Sequence, residues 1–453
     1  MTAAPGSKGS SDRARGQGHR SVERQVLESP LSATWRPAVR EKAVLVGVGP
    51  GIADDDLDEL AALADSAGAE AVARVVQSRH EPDPATYIGR GKLEHVHDEV
   101  HRSGADSVIL DQELTPGQLR SLEERLGVKV VDRTALILDI FALHARSREG
   151  KAQVELAQLN YLLPRLRGWG EAMSRAGGGV GTRFGGGETK MELDRQHIGR
   201  RIAKLRRELK ALARTRETKR SRRQTSGIPQ AAISGYTNSG KSTLMNRLTG
   251  ADVIVADQLF ATLDPTVRRL TLPGRRRCTI SDTVGFVSKL PHDLIEAFRS
   301  TLEEVTLAEL VVHVADASSA ELMEQVEAVR RVLGEIGAGA IPEVLVLNKI
   351  DLLSGSQRAR LARRYPGAVP VSARSGEGVE GLLEVLEATL PHPPVEVELL
   401  VPYGREDVTA MLYRGAEVLS TTHHEEGTAV HARVGLRELA AVREFVVTER
   451  PTP

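Results

Sequence analysis

"QAAISGYTNSGKSTLMNRLTG" (residues 230–250) decides the fold. Residues 230–234 read as a strand, and a glycine-punctuated turn follows: Gly235, Tyr236, Thr237, Asn238, Ser239, Gly240, Lys241, Ser242 and Thr243. A helix-like run opens behind it. The turn fits G-x-x-x-x-G-K-[ST] in the strand–turn–helix setting that this pattern requires. Its glycines let backbone N–H groups point inward around phosphate oxygens. Lys241 reaches toward the β- and γ-phosphates, and the Ser242 hydroxyl is placed to ligate Mg²⁺.

Phosphate loops do not choose a base; "NKID" (348–351) does. It follows the buried-strand run "EVLVL", at a strand's carboxyl end, where α/β folds bind ligands. Asp351 can accept hydrogen bonds from guanine N1–H and its exocyclic amine. Adenine has no such donor pair and leaves the charge unpaired, so GTP and GDP are the expected ligands. Asn348 can tie this loop to the phosphate loop, and the Lys349 stem can lie along the base. "VSARSG" (371–376) sits at another strand end, with Ser372, Ala373 and Arg374 beside the base.

Between these motifs lies "SDTVGFVSKL" (281–290). Asp282 ends a strand, where it can hold Mg²⁺ through water; Thr283 and Val284 follow, and the Gly285 N–H can sense the γ-phosphate. A switch threonine belongs between the first and third motifs. In Phe260, Ala261, Thr262, Leu263 and Asp264 the choice is Thr262, a second Mg²⁺ ligand beside Ser242. Thr266 and a purely structural turn are the alternatives. After Gly285, where many such proteins carry a water-orienting glutamine, stands Phe286, which has no side-chain hydrogen bond to offer.

The chain has 453 residues, too many for one ordinary core. With 40% apolar and 27% charged residues it reads as soluble, and 3% aromatic content argues against a large stacking surface. No run approaches the roughly 18 apolar residues of a membrane helix, and the first twenty residues have no apolar secretory core. One cysteine, Cys278, excludes an internal disulfide framework and suits a reducing cytosol, so a cytoplasmic location is expected. Net charge is zero, which leaves nucleic-acid affinity to local clustering.

The expected fold is multidomain α/β. Residues 1–40 read as a disordered tail, 41–146 as an α/β domain with a mostly parallel sheet, and 226–391 as the P-loop (Ras-like) GTPase domain. Residues 392–453 read as a small α+β domain. Residues 147–225 read as an antiparallel helical hairpin. Leu156, Leu159, Leu163 and Leu166 recur at helical spacing, as do Ile198, Ile202, Leu205, Leu209 and Leu212. Between the two seams "AGGGVGTRFGGGETK" (176–190) is too glycine-rich for helix and forms the tip. Thirteen Lys/Arg face two Glu between 195 and 223, a density that suits RNA phosphates; a coiled-coil dimerisation arm is the alternative.

Several stretches resemble an HflX-type GTPase of the translation-factor class. They are "FATLDPTVR", "DTVGFVSKLPHDLIEAFRSTLEE", "REGKAQVELAQLNYLLPRL", "YIGRGK" (87–92) and "VVDRTALILDIFALHARSREGK" (130–151). The similarity runs from about residue 42 to about residue 390. It implies a GTP hydrolase that binds the large ribosomal subunit through its rRNA and splits or rescues stalled ribosomes; a monomer is expected. The tip would approach the peptidyl-transferase centre through Gly177, Gly178, Gly179, Arg183, Gly185, Gly186 and Gly187. This chain reads "GTRFGGGET", where the family usually reads G-T-R-G-P-G-E-T, which puts splitting efficiency in question. Phe286 then implies slow hydrolysis alone and a partner that supplies the missing positioning. Asn238 matches relatives that hold K⁺ between phosphates, or it simply stabilises the loop. The family also suggests an adenine nucleotide at the N-terminal domain; RNA contact or plain structure is an equal reading of "YIGRGK".

Two other classes stay open: a nucleotide-gated RNA-binding module without hydrolysis, and a tRNA-modification GTPase. The latter typically needs a C-terminal cysteine, whereas Cys278 falls inside the GTPase domain. Cys278 reads as core, and His423 and His424 as a solvated turn.

Overall fold

From Ala43 to Val48 the chain is apolar apart from one glycine, the pattern of a strand covered on both faces. The computed structural model describes residues 40–166, 186–224, 228–250, 259–260, 262–274, 276–289, 291, 294, 298–393 and 395–452. In it, strand β1 (Glu41–Gly49) lies inside a four-stranded sheet with β2 (Ala69–Ser78), β3 (Ser107–Leu110) and β4 (Lys129–Asp132). The order is β2-β1-β3-β4, and every pairing is parallel. Helices α1 (Asp58–Ser66), α2 (Arg90–Ser103), α3 (Pro116–Leu126) and α4 (Arg133–His144) cover it. Ala43 and Leu45 share a core with Leu60 of α1 and Ile137 of α4, whereas Val44 and Val46 share one with Val96 of α2 and Leu122 of α3.

Helices α5 (Arg148–Arg165) and α6 (Gly186–Gln224) form the arm. Their seams meet as expected: Leu159 packs with Ile198, Ile202 and Leu205. Arg201 adds a two-pronged bond to Glu155 at 2.5 and 2.6 Å. The expected tip loop is too long at its C-terminal end, because Gly186 and Gly187 already belong to α6. They occupy its first turn, where glycine costs less than in a helix interior, and strong helix formers follow. Gly177, Gly178, Gly179, Arg183 and Gly185 lie outside the described residues.

The second sheet contains β5 (Gln230–Gly235), β6 (Thr266–Thr271), β7 (Arg277–Asp282), β8 (Leu310–Asp316), β9 (Glu343–Asn348) and β10 (Val369–Pro370). Its order is β10-β9-β8-β5-β7-β6, parallel except for β6 against β7. Helices α7 (Lys241–Thr249), α8 (Arg299–Thr306), α9 (Leu322–Glu335), α10 (Gly355–Arg364) and α11 (Val379–Thr389) connect and cover it. Consequently β5 ends at Gly235, β7 at Asp282 and β9 at Asn348, so three motifs far apart in sequence come to the carboxyl ends of the parallel strands. Cys278 is fully buried in β7, and burial pushes its thiol up to about 12, which makes it core.

The third sheet is antiparallel, in the order β12-β13-β11-β14. It comprises β11 (Val395–Val401), β12 (Glu417–His424), β13 (Gly427–Val434) and β14 (Val446–Pro451), with α12 (Glu406–Gly415) and α13 (Leu436–Val442). The two histidines do not lie in the turn: His423 and His424 finish β12 opposite Thr428 and Gly427. A ladder position satisfies their backbone without any apolar signal, which is why the sequence pattern hides the strand. No helix among the described residues is long and apolar enough to cross a membrane.

Candidate nucleotide site

The phosphate loop and the D-x-x-G turn are stitched together through the backbone. Thr237 N–H donates to the Phe286 carbonyl at 2.7 Å, and Phe286 N–H donates to the Gly235 carbonyl at 3.1 Å. This bridge turns the Phe286 side chain inward. It is 1% exposed and packs among Ala232, Leu302, Val305 and Val329, so it does not line the nucleotide cavity. Gly285 does line it. A Cβ there would lie 2.8 Å from Lys241 Nζ and 2.9 Å from the Thr237 side chain, a close approach that only glycine permits.

Lys241 opens α7 and is buried, its Nζ donating to the Tyr236 carbonyl at 2.6 Å. Burial lowers its pKa to about 8, with Asp282 pulling the other way. A buried ammonium aimed along the loop is suited to a polyanion. Beside it Asp282 Oδ2 accepts from Ser242 Oγ at 2.8 Å and from Thr262 Oγ1 at 3.2 Å, and the two hydroxyls are 3.1 Å apart. Thr266 instead opens β6 opposite Asp282 and is exposed. Burial raises the Asp282 pKa against the opposing pull of Lys241 and the two hydroxyls.

Asp282 Oδ1, Thr237 Oγ1 and Ser239 Oγ are buried with no hydrogen-bond partner among the described residues. Orphaned buried oxygens are costly, and a cation with phosphate oxygens would relieve them. The donors here are hard oxygens, one carboxylate and two hydroxyls, the kind of sparse set that suits Mg²⁺ carrying substrate phosphates and water. Thr283 serves the scaffold, donating to the Ile233 carbonyl at 2.7 Å, and Val284 is buried in the core shared with the first sheet. Asn238 is exposed at the cavity in a left-handed conformation (φ 56°), and half-buried Thr243 lines the same wall.

At the "NKID" end of the cavity, buried Asn348 joins two loops. Its Nδ2 donates to the Ser239 carbonyl at 2.8 Å and its Oδ1 accepts from Ala373 N–H at 2.9 Å. Lys349 is left-handed (φ 65°) and its Nζ pairs with Asp316 at 2.7 Å, which holds the stem along the cavity wall. Asp351 is exposed at the mouth and Ser372 is buried beneath, accepting from Ser375 N–H at 3.1 Å. Arg247 of α7, which no motif marks, clamps this loop by donating to the Ala373 carbonyl at 3.2 Å and to the Arg374 carbonyl. All these walls enclose one cavity of about 1360 Å³, whose far side is formed by residues such as Ile109, Leu136 and Ser147.

The first sheet's helices brace both switches. Phe260, Leu263 and Val284 share a core with Ile137, Phe141 and Val154; the Phe141 and Phe260 rings meet edge to face at 4.7 Å. Ala261 lies outside the described residues. On the other side Arg133, 2% exposed, donates to Asp111 at 2.5 Å, to the Ser288 carbonyl at 2.6 Å and to Glu59. Glu59 also accepts from Tyr236 OH and from Ser288 Oγ at 2.8 Å, and Lys289 pairs with Asp111. At "YIGRGK" the Gly89 N–H that would begin an anion site on α2 is already taken by Gln77 Oε1 at 3.0 Å.

A phosphate loop, an acid–hydroxyl cluster and the exposed Asp351 carboxylate, set at or just beyond the carboxyl ends of β5, β7 and β9, define a P-loop GTP-binding fold. Comparison with known proteins agrees. Residues 54–142 match the family described as "GTP-binding GTPase N-terminal", 144–223 match "GTP-binding GTPase Middle Region", and 230–349 match "50S ribosome-binding GTPase". The chain is 46% identical over 414 residues to the GTPase HflX of Caldanaerobacter subterraneus, covering 90% of this chain and 94% of the relative. It is 42% identical over 377 residues to that of Escherichia coli, covering 83% and 88%. A solved GTP-binding protein from Sulfolobus solfataricus in complex with GDP aligns at 26% identity over 77% of this chain and 98% of that one, with a TM-score of 0.41. The chain belongs to the HflX family of GTPases. It is a GTP hydrolase, and the family implies a Mg²⁺ requirement.

Proposed function

We propose that this GTPase acts on the large ribosomal subunit in the cytoplasm, binding in the GTP form, promoting separation or rescue of stalled ribosomes, and leaving after hydrolysis. The observation that carries the reading is the inward turn of Phe286. With that side chain in the core, nothing at the glutamine position orients water, so hydrolysis is slow until a partner adds what is missing. Partner contributions to phosphoryl transfer reach on the order of 10³–10⁵ in rate, roughly 4–7 kcal/mol of barrier. The partner's class is suggested by the "50S ribosome-binding GTPase" description of the matched family and by the basic run 195–223 on α6. We assign the tip between the two arm helices to contact with rRNA.

In this reading Gly235–Thr243 cradle the phosphates, Lys241 neutralises them, and Asp351 with the loop Ser372–Arg374 selects guanine. Ser242 and Thr262 would hold Mg²⁺ directly, with Asp282 behind them; when bound, the ion offsets charge that develops on the phosphate oxygens. Asn238, exposed at the cavity, would hold K⁺ against the phosphates; equal turnover in K⁺ and Na⁺ would remove that assignment. The units 41–146, 147–225, 226–391 and 392–453 would then be an N-terminal domain, an RNA-reading arm, the nucleotide domain and a C-terminal domain.

Sedimentation with purified large subunits tests the partner. Binding is expected with the non-hydrolysable analogue GMPPNP, weaker with GDP, and falling steeply with salt as counterions are released. Reversing the charge of Arg206 and Arg207 should flatten the salt dependence. Equal recovery with both nucleotides, or none with either, contradicts the proposal.

A further inference from the structure

Thr262 and Asp264 are two residues apart and face opposite ways. Thr262 joins Ser242 and Asp282 in the cation cluster. Asp264, at the edge of the same cavity, reaches across to the N-terminal cap of α5, the root of the arm. Its Oδ2 accepts from Arg146 N–H at 3.0 Å and Ser147 N–H at 2.7 Å, and its Oδ1 accepts from Ser147 Oγ. Ser147 is the N-cap of that helix and in turn accepts from Gly150 N–H at 2.8 Å. The carboxylate thus sits where unsatisfied helix amides and the helix dipole favour a negative charge.

Gly150 completes the seat. A Cβ at this position would collide with Asp264 Oδ1, so the carboxylate can approach the helix only over a glycine. The residue between the two, Leu263, is buried in the core that contains Val154 and Ala157 of the same helix. A polar seat and an apolar plug therefore fasten one three-residue segment to the arm, while Thr262 points back into the nucleotide site.

We propose that Asp264 is a positioning residue that couples the switch threonine to the root of the arm. GTP, by holding Thr262 at the cation and γ-phosphate position, seats Asp264 on α5 and fixes the arm against the nucleotide domain. Loss of the γ-phosphate releases Thr262 and with it the arm. The inference rests on the assignment of Thr262 to the nucleotide-bound cation, and it adds what the arm does in response.

The test is made on the full chain with Gly150→Ala, which lies outside the nucleotide machinery. Alanine for glycine in a helix normally stabilises; here it should displace Asp264. Removing a cap interaction of this kind weakens what depends on it by on the order of fivefold. GMPPNP affinity in Mg²⁺ should fall by about that factor in Gly150→Ala, with GDP affinity changed less than twofold. Ser147→Ala should do the same more weakly. In an Asp264→Ala background Gly150→Ala should cost nothing further, whereas a merely local helix defect would add its full effect.

Hydrogen exchange of the wild-type supplies the direct readout. The amides of Arg146, Ser147 and Gly150 should exchange more slowly with GMPPNP than with GDP. Equal exchange in both states, or additive effects in the double variant, overturns the coupling. A wild-type chain that binds neither guanine nucleotide overturns the site assignment itself, and the two failures are told apart by that first measurement.

Discussion

Asn348→Ala isolates the joint on which the proposed base-reading end depends. The side chain is 2% exposed and satisfies two backbone groups at once, the Ser239 carbonyl of the phosphate loop and the Ala373 N–H of the loop beneath the base. Truncation leaves both without a partner. Each orphaned buried group costs about 1–3 kcal/mol, and because the adjoining cavity admits water the total belongs in the lower half, about 2–4 kcal/mol. In the free protein the loops relax to recover much of this; binding forces them back, so the cost appears in affinity. GDP should bind roughly 30- to 1000-fold more weakly. Asn348→Asp keeps the acceptor for Ala373 but sets a carboxylate against the Ser239 carbonyl, and it should be impaired too. Displacement of a fluorescent GDP analogue measures both, with thermal melting checking that the fold persists. GDP affinity within threefold of wild type would refute the reasoning.

Phe286→Gln should not restore intrinsic hydrolysis, because the position faces the core; it should instead destabilise by about 2–4 kcal/mol in urea unfolding, from the lost ring and a buried amide. Arg133→Ala leaves Glu59 and Asp111 without the guanidinium between the first sheet and the Ser288 turn, and should cost about 3–5 kcal/mol in the same assay. Asp351→Asn should shift preference from guanine toward xanthine nucleotides, read by competition binding; unchanged GTP affinity would contradict the base site. Glu343 is raised by burial but lowered more by His313 and Arg330, which bring its carboxyl from 4.5 to about 2. A depressed carboxylate stabilises above its unfolded pKa, so stability should drop by about 2–3 kcal/mol as pH falls from 4.5 toward 2, and Glu343→Gln should flatten that drop.

Much of the nucleotide site is legible because its chemistry is local. Gly235–Thr243, Asp282–Gly285 and Asn348–Asp351 are short runs in which spacing alone dictates which backbone groups and side chains converge. The arm's seams are legible for the same reason, since helical periodicity places Leu159 opposite Ile198 and Ile202. What the chain does not announce are partners far apart in sequence: Arg133 with Ser288, Asp264 with Ser147, Arg247 with Ala373. Each is a single charged or polar residue in an unremarkable local setting. The edge strands β12 and β14 are hidden because their outward residues are polar, and the start of α6 is hidden because composition penalises glycine without regard to position.

The measurement closest to the central claim is GTP turnover in K⁺ buffer with and without purified large ribosomal subunits. A slow rate alone and strong stimulation by the subunit are expected if, as proposed, Phe286 leaves water positioning to a partner. A flat, near-zero rate despite bound GTP would contradict a ribosome-stimulated hydrolase and favour a nucleotide-gated binding module instead.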